Sequence, residues 1–322
     1  MAGQVWGTNS LGGFMYADEL SDLMRTEVRA TCKFRPLCDA MDFSDKGLGR
    51  GQLVTWNVYS KIANAGGTLT EQTTMPESNY TVQQGTATVS EFGNSIPFTS
   101  LVQYYSAQDV SAVVRDVLAR DCRETMDTQA HTQFNRCLLR FVGTTTAAGI
   151  LTTNGTATAT NSTNYNTALH RLLVDTMKER NIPPYRGDDY VAVARPTALR
   201  PIRAELQSVF QYTDAGYQKI LKGEIGRYDG VRFVEQTQIL AGTATNGTAW
   251  TSGLSDWIYL MGADTVAEIM AIPPEVRGRI PSDYGRSLGM AWYALEGFGI
   301  IYQSGNDASA TNSRILKWDS AS

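Results

Sequence analysis

The longest regular pattern in the chain is a helical stripe of apolar residues in its first half. Residues 106–141 contain no glycine or proline, and apolar residues recur there every three or four positions. This spacing predicts an amphipathic helix of about 36 residues, roughly 50 Å long and several times the usual length. A coiled coil is the alternative, but the stripe departs from strict heptads, so a helix laid against a sheet fits at least as well. The stripe consists of Val110, Val113, Val114, Val117, Leu118, Cys122, Met126, Ala130, Phe134, Cys137, Leu138, Phe141 and Val142.

Before this helix the apolar pattern changes to a period of two. Val54, Trp56 and Val58 occupy alternate positions, which is the signature of a strand. A polar loop follows over about 61–79, and residues 80–98 form a second extended segment with too few apolar residues to bury a core face. The two segments predict a long two-stranded finger. Because an isolated hairpin is marginally stable in water, this finger needs another surface to lie on.

The flanking regions predict an arm at one end and alternating helices and strands at the other. Residues 1–49 predict an arm with a short amphipathic helix from about Ala17, ended by Pro36. The segments 143–166 and 241–253 predict loops of low complexity. Helices are predicted at 167–180, from Pro201, at 214–222 and from Asp264; strands at 190–194, 231–235, 257–261, 289–302 and 314–318; and a turn-rich bridge around Pro273, Pro274 and Pro281.

Composition and charge narrow the possible functions. The chain has 322 residues, 42% of them hydrophobic, and its 28 Lys and Arg against 32 Asp and Glu give a net charge of −4. A protein that grips nucleic acid tightly is normally basic, because it must neutralise phosphates. A slightly acidic chain can still line a space filled with DNA. No signal peptide and no apolar stretch of about 20 residues is present, so we expect no membrane association.

Residues that could carry chemistry are few and do not form a known motif. The two histidines, His131 and His170, lie in predicted helices without a partner motif, so both are expected to be structural or surface residues. The glycines of residues 47–51 are expected to form a hinge, because no helix follows them to hold phosphate. The pair Asp188 and Asp189 is expected in a solvated turn. We therefore predict no enzyme, and no catalytic, cofactor-binding or metal-binding residues.

The four cysteines are expected to be reduced structural thiols. Cys122 and Cys137 fall on the apolar side of the predicted long helix, where a thiol behaves as a small hydrophobic group. Cys32 and Cys38 are too far apart in sequence for a CxxC pair, and no second pair completes a zinc site.

The order of these elements resembles the HK97-type fold of tailed-phage major capsid proteins, an α+β fold. Residues 221–235, LKGEIGRYDGVRFVE, resemble a stretch typical of the coat-protein family named after coliphage N4. Residues 189–196, 288–293 and 314–318 are similar to that family as well. The resemblance in element order covers nearly the whole chain, and the 223–235 block is its specific part.

The resemblance implies a domain plan and a set of partners. Residues 1–49 would be the N-terminal arm, 50–99 the E-loop, 100–166 the P-domain with its spine helix, 167–285 the A-domain, and 286–322 strands that return to the P-domain. The protein would assemble with itself into hexamers and pentamers of an icosahedral head in the virion, built in the bacterial host cytoplasm. It would enclose double-stranded DNA without sequence specificity and meet a portal and a separate scaffolding protein; a decoration protein is left open.

Contacts between subunits are expected along the finger, which would lie over a neighbouring copy. The candidates are Trp56, Tyr59, Lys61, Glu71 and Tyr80. Some shells of this fold crosslink through an E-loop lysine, but Lys61 has no evident partner signature, so non-covalent assembly is expected. An encapsulin-like shell that encloses enzymes is the alternative. A hydrolase-like enzyme lacks the required pair of nucleophile and histidine.

Overall fold

The computed structural model describes most of the chain. The described residues are 33–42, 52–59, 62, 66–72, 74–106, 108–156, 163–210, 226–237, 239, 257–302 and 310–319. The arm helix predicted near Ala17, the glycines at 47–51, the helix predicted at 214–222 and the loop at 241–253 lie outside the described residues.

The first layer is a four-stranded sheet with one long helix across it. The strand order is β1–β11–β12–β4; β1 pairs with β11 in parallel and the other pairs are antiparallel. Helix α2 packs on this sheet through a buried stripe that runs along its full length. The bounds of these elements are β1 Asp39–Asp42, β4 Ser90–Thr99, β11 Val266–Gly278, β12 Ser287–Ile300, and α2 Val110–Asn135.

The stripe on α2 explains why this helix lies where it does. Val114, Leu118, Met126 and Phe134 are each at most 2% exposed and form one core cluster with residues of the sheet, including Trp292. Burial of side chains of this size stabilises the fold by about 1.5–3 kcal/mol each. The Asp109 side chain caps the first turn by accepting a hydrogen bond from the Ser111 amide, 2.9 Å away.

The second layer is a seven-stranded mixed sheet with its own core. Its order is β6–β5–β13–β10–β7–β9–β8, and helices α3 and α4 contribute buried residues to the same cluster. The bounds are β5 Leu139–Thr145, β6 Ala148–Thr152, β7 Tyr190–Ala194, β8 Arg227–Tyr228, β9 Val231–Glu235, β10 Ile258–Met261, β13 Ile315–Asp319, α3 Thr167–Glu179 and α4 Arg200–Phe210.

A separate two-stranded hairpin projects from the four-stranded sheet. Its strands are β2, Leu53–Tyr59, and β3, Val82–Thr88, which pair in antiparallel register from Leu53 with Thr88 to Tyr59 with Val82. A long connection, residues 60–81, joins them. A short helix, α1 (Ser100–Tyr105), directly follows β4. The predicted finger is therefore present, although it is shorter than expected.

The long helix is also shorter than the sequence pattern predicted. It has 26 residues, or about 39 Å, and it ends at Asn135; residues from Leu139 form strand β5. Cys137 is buried, as expected, but lies beyond the helix. In a short apolar run, periodicity alone does not distinguish a helix from a buried strand. The apolar stripe in the sequence therefore continued past the end of the helix and into β5.

Three further predictions are wrong in ways that the sheets explain. Residues 80–98 do not form one strand: β4 leaves the hairpin to pair with β12, and its Phe98 is buried in the core. Residues 143–166 include the end of β5 and all of β6. The segment after Asp264 is strand β11, not a helix and a bridge. The last strand, β13, joins the seven-stranded sheet, where it pairs with β5 in parallel.

The prolines in β11 show why that strand was missed. Proline cannot donate to a ladder and is confined to edges and bulges. Pro273 and Pro274 lie beyond the stretch that β1 covers, which ends at Met270, and the register with β12 shifts between Ile272 and Glu275. The prolines therefore occupy an irregular, one-sided part of the strand. The predicted helices at 167–180 and from Pro201 are confirmed to within a few residues. The same holds for the strands predicted at 190–194, 231–235, 257–261, 289–302 and 314–318.

Candidate assembly surface

The two histidines are buried structural residues. The Nε2 atom of His131 lies 3.1 Å from the Tyr259 hydroxyl, and His170 joins the Tyr165 hydroxyl and, at 3.3 Å, the carbonyl oxygen of Tyr228. Burial lowers the pKa of each imidazole to about 4, so both are neutral at neutral pH. Neither ring is exposed enough to meet a substrate.

The other candidates for chemistry are also engaged in structure. Asp189 is buried, not in a solvated turn as expected; its carboxylate pairs with Arg227 and Arg232 at 2.7 Å each, and the hydrogen bond from Arg232 lowers the pKa of Asp189. Within the described residues no three metal-ligating side chains lie together, and no helix is long and apolar enough to cross a membrane. Cys38, Cys122 and Cys137 are free thiols.

The base of the hairpin is fixed to the last residues of β12 and the turn that follows. The indole Nε1 of Trp56 donates to the carbonyl oxygen of Ile301 at 2.7 Å. The ring lies on Gly85 of the paired strand, where a Cβ would overlap it, and it also reaches Gly299. A Cβ on Gly297 would meet the carbonyl oxygen of Thr88 at 2.6 Å, so β3 crosses β12 at backbone contact. Trp56 thus anchors the hairpin to its own chain.

The hairpin and its connecting segment carry exposed apolar side chains with little to cover them. The rings of Tyr59, at the end of β2, and Tyr80, just before β3, are 66% and 57% exposed and their centroids lie 6.1 Å apart. Glu71 is exposed on the connecting segment, and Lys61 lies outside the described residues. We call the exposed apolar residues of this region the hairpin surface: Leu53, Tyr59, Ile62, Leu69, Met75, Tyr80 and Val82.

A second exposed apolar region lies at the opposite end of the four-stranded sheet. The amide of Ser100, the first residue of α1, donates to the carbonyl oxygen of Arg286 at 3.0 Å, so α1 sits beside the turn that joins β11 to β12. Ile280 in that turn is 86% exposed and Tyr104 in α1 is 84% exposed. We call this region the sheet-end surface: Leu101, Tyr104, Tyr105, Val276, Ile280 and Tyr284.

The turn at the sheet end contains residues in the left-handed backbone region, which residues other than glycine rarely adopt. Asp283 and Tyr284 have φ of 54° and 53°, and Gly285 has φ of 86°. A bulky residue such as Tyr284 is unfavourable in this left-handed region, so its presence there costs free energy. Beside the turn is a groove of about 440 Å³ on the sheet, lined by Ile96, Pro97, Met290, Ala291, Arg277 and Arg279.

A third feature, which sequence reasoning missed, fastens residues 34 and 35, within the segment predicted as the N-terminal arm, to the body. Asp127 on α2 accepts hydrogen bonds from the amides of Phe34 and Arg35 at 2.8 and 3.0 Å. The Arg35 guanidinium then reaches Glu268 at 2.6 Å and Glu296 at 3.3 Å. We call this arrangement the Arg35 clip. Its partners are 233 and 261 residues away in sequence, so no local pattern could reveal it.

The electrostatics of the clip are dominated by burial. Both glutamates are nearly inaccessible to water. Burial raises the pKa of Glu296 to about 7; Arg35 opposes this rise, and the neighbouring Glu268 adds to it. Burial also raises the pKa of Asp127, against the hydrogen bonds that it accepts. One guanidinium therefore compensates two buried carboxylates, so removal of this cation would strongly destabilise the fold.

Comparisons with known proteins agree on the fold. No protein-family model matches the sequence, and no curated protein sequence matches it significantly. Among solved structures, the capsid of Cyanophage P-SCSP1u is similar with a TM-score of 0.67 at 11% identity, over 99% of this chain and 97% of that one. The Cyanophage Pam1 capsid gives a TM-score of 0.67 at 14% identity, over 95% and 96%. The head of Helicobacter pylori bacteriophage KHP40 gives 0.66 at 14% identity, over 95% of each chain.

The similarity spans nearly the full length of both partners in each case. The chain therefore has the α+β, HK97-like fold of phage capsid proteins, and the fold predicted from the sequence is confirmed.

Proposed function

We propose that this chain is the major capsid protein of a tailed phage, of the coliphage N4 type, which self-assembles into hexamers and pentamers of an icosahedral head around double-stranded DNA. The observation that carries the proposal is the hairpin, which has exposed apolar side chains and is anchored to its own chain by Trp56. The hairpin belongs to a fold that is similar along its whole length to phage capsid structures. A protein that stays monomeric rarely exposes so many large apolar side chains together. The N4 type is supported by the sequence block that ends at Glu235.

The domain plan follows the order of elements. We propose residues 1–49 as the N-terminal arm, 50–99 as the E-loop, 100–166 as the P-domain, 167–285 as the A-domain and 286–322 as the returning strands. The sheet order bears on this plan, because β12 pairs with both β4 and β11 and this sheet supports α2. On this plan the spine helix and its sheet form one unit, and the hairpin extends from it.

The partners follow from the same proposal. The protein meets further copies of itself, a portal and a separate scaffolding protein, and it encloses DNA without sequence specificity, in keeping with its net charge of −4. It works as a structural protein of the virion, built in the host cytoplasm, and not as an enzyme. The similar structures are phage capsids and heads, which favours this function over an encapsulin-like compartment.

The candidate contact residues take different parts in the proposed interface. Tyr59 and Tyr80 present an exposed aromatic pair to a neighbouring copy, with Glu71 and Lys61 on the connecting segment. Trp56 contributes by holding the base of the hairpin, so that the pair is presented in a fixed position. We propose that the contact is non-covalent.

Electron microscopy of the purified protein tests the proposal. The unmodified protein is expected to form closed shells or rings, and the double variant Tyr59→Ser/Tyr80→Ser is expected to form few or none while keeping its far-ultraviolet circular dichroism. Val117→Thr, on the exposed face of α2, is the matched control and is expected to assemble normally. A population of monomers from the unmodified protein, under every assembly condition tried, would count against the proposal.

A further inference from the structure

Residues 33–42, which lie within the segment predicted as the N-terminal arm, join α2 to the edge of the four-stranded sheet. One turn of 3₁₀ helix, Arg35–Leu37, is followed by β1, which pairs in parallel with β11. The ring of Phe34 is fully buried against α2, and its centroid lies 4.6 Å from that of His131. We call residues 33–42 the strap.

Three carboxyl groups lie against the strap, and two of them are well supplied with hydrogen-bond donors. Asp127 accepts from two backbone amides of the strap and from the side-chain amide of Gln236 at 3.0 Å. Glu268 accepts from Nε and a terminal nitrogen of Arg35 at 2.7 and 2.6 Å. Glu296 has only that same terminal nitrogen, at 3.3 and 3.4 Å from its two oxygens. Glu296 is therefore the carboxyl group whose negative charge is least compensated.

The two glutamates also contact each other, and this contact requires a proton. The carboxyl group of Glu296 is hydrogen-bonded to that of Glu268. Two ionised carboxylates cannot form a hydrogen bond, because neither has a donor, so one of the pair must be protonated. Two carboxyl groups held close together commonly share one proton for this reason. With that proton the charges of Arg35 and the two glutamates sum to zero, and without it a buried negative charge is left over.

The surroundings offer no better way to neutralise this charge. Burial raises the pKa of the Cys38 and Cys122 thiols, so both are neutral at neutral pH. Strand β4 presents the neutral Ser90 opposite Glu296. Among the described residues, Arg35 is the cation that contacts the glutamates. The titratable and charged groups around the pair are Asp121, Cys122, Arg123 and Asp127 on α2, and Arg35, Cys38 and Asp39 on the strap.

Opening of the strap changes the environment of the shared proton. Both glutamates are now nearly inaccessible to water, and departure of the strap with Arg35 would hydrate them. Burial is the main cause that raises the pKa of Glu296 to about 7, from an ordinary value of 4.5. A hydrated Glu296 releases its proton more readily, so the closed strap binds the proton more tightly than the open strap. A proton that binds one state more tightly stabilises that state.

We propose that the strap is a proton-dependent latch, in which a proton held between Glu268 and Glu296 keeps residues 33–42 closed on the body and its loss favours release. The latch is closed most firmly at acid pH, and this extra stability is lost as the pH rises through neutrality. Attachment of the predicted arm to the body therefore depends on pH. This inference goes beyond the proposed function and does not depend on it, because all the groups belong to one chain.

Hydrogen exchange of the strap amides tests the latch. Protection factors of residues 34–42, corrected for the intrinsic dependence of exchange on pH, are measured by mass spectrometry on the full chain at pH 6 and pH 8. With a pKa of about 7 in the closed strap and 4.5 in the open strap, protection should fall about tenfold over this range. The strap amides should also exchange faster than those of β7, because the strap opens without global unfolding.

Two variants make the test specific to the shared proton. Glu296→Gln keeps the shape of the side chain and supplies a neutral donor to Glu268, so the strap should stay as protected at pH 8 as it is at pH 6. Glu275→Gln, on the exposed part of the same strand as Glu268, is the matched control and should behave like the unmodified protein. Infrared spectra should show a protonated carboxyl band at pH 6 that is weaker at pH 8 and absent at both pH values in Glu296→Gln.

Three results would overturn the latch. The first is strap protection that does not change between pH 6 and pH 8 in the unmodified protein, or that falls equally in Glu296→Gln. The second is a strap that Glu296→Gln loosens at both pH values, because a neutral group there should hold it. The third is exchange of the strap amides no faster than that of β7. Failure of the protein to form shells would instead contradict the proposed function.

Discussion

Removal of the guanidinium from the Arg35 clip provides a test of the buried electrostatics. In Arg35→Met, Glu268 and Glu296 remain almost fully buried without a cation. Loss of one partner from a buried ion pair typically costs 3–5 kcal/mol. Because the Arg35 side chain is itself 26% exposed, we expect the lower end of that range, about 3 kcal/mol. The free energy of unfolding, from urea titration followed by tryptophan fluorescence, is the measurement.

The loss should depend on pH in a defined direction. The pKa of Glu296 is raised to about 7 in the folded protein, from an ordinary value of 4.5. A carboxyl with a raised folded pKa stabilises the fold when protonated, and that stability is lost as pH rises through the folded pKa. Its contribution to the unmodified protein should increase by about 1 kcal/mol between pH 8 and pH 6.5. In Arg35→Met the pKa of Glu296 rises further, so the cost of the substitution should shrink as the pH is lowered.

Two further variants make this prediction specific. Arg35→Met/Glu296→Gln should recover part of the stability at pH 8, because it removes one of the two uncompensated charges. Arg286→Met is the matched control: its guanidinium is 76% exposed, and its loss should change the free energy of unfolding by about 0.5 kcal/mol or less. The reasoning is refuted if Arg35→Met costs no more than Arg286→Met, or if its cost is the same at pH 8 and pH 6.5.

Three other predictions concern the hairpin anchor and the buried histidines. Trp56→Leu should speed hydrogen exchange of the β2 and β3 amides and lower stability by about 2–4 kcal/mol, since it removes the bond to Ile301 and the cover over Gly85; unchanged exchange would contradict an anchoring role. Gly85→Ala should displace the indole and cost about 1–3 kcal/mol, and a crystal structure with the ring unmoved would contradict this. The pKa of both His131 and His170 is lowered to about 4 in the folded protein. The free energy of unfolding, measured by urea titration, should therefore fall by up to about 3 kcal/mol per histidine as the pH is lowered from 6.5 to 4. A free energy that does not change over this range would contradict their burial as neutral groups.

The sequence predicted those elements whose local pattern and final environment agree. Strand β7, Tyr190–Ala194, is buried along its whole length, and a strand buried on both faces reads as a continuous apolar run. Helix α3, Thr167–Glu179, has one apolar face and ends before a pair of prolines. In both cases packing reinforces the local preference, so pattern and structure give the same answer.

Prediction failed where the environment overrides a local pattern. Strand β4 looks polar, but Phe92, Ile96 and Phe98 fall on one face and that face meets α2. Strand β11 contains two prolines and still pairs with β12, because the prolines lie where the register between the two strands shifts and where β1 no longer pairs with β11. Only the sheet partner, which is distant in sequence, decides these cases.

The functional surfaces also fall into two groups, one that a local sequence pattern predicts and one that it does not. The finger could be predicted, because an alternating polar hairpin has a local signature. The sheet-end surface could not, because it joins the turn near Tyr284 to helix α1, which lies far earlier in the chain. The Arg35 clip is hidden for the same reason. The predicted contact residues, Trp56, Tyr59, Lys61, Glu71 and Tyr80, remain predictions.

The central claim is that copies of this chain build a shell in which each hairpin lies on a neighbour. A cryo-electron-microscopy reconstruction of particles assembled from the purified protein tests it most directly. The account predicts a closed icosahedral shell with five- and six-membered rings, in which the residues around Glu71 of one subunit contact a neighbouring subunit. Particles that remain single subunits, or a shell in which the hairpin touches only its own chain, would contradict it.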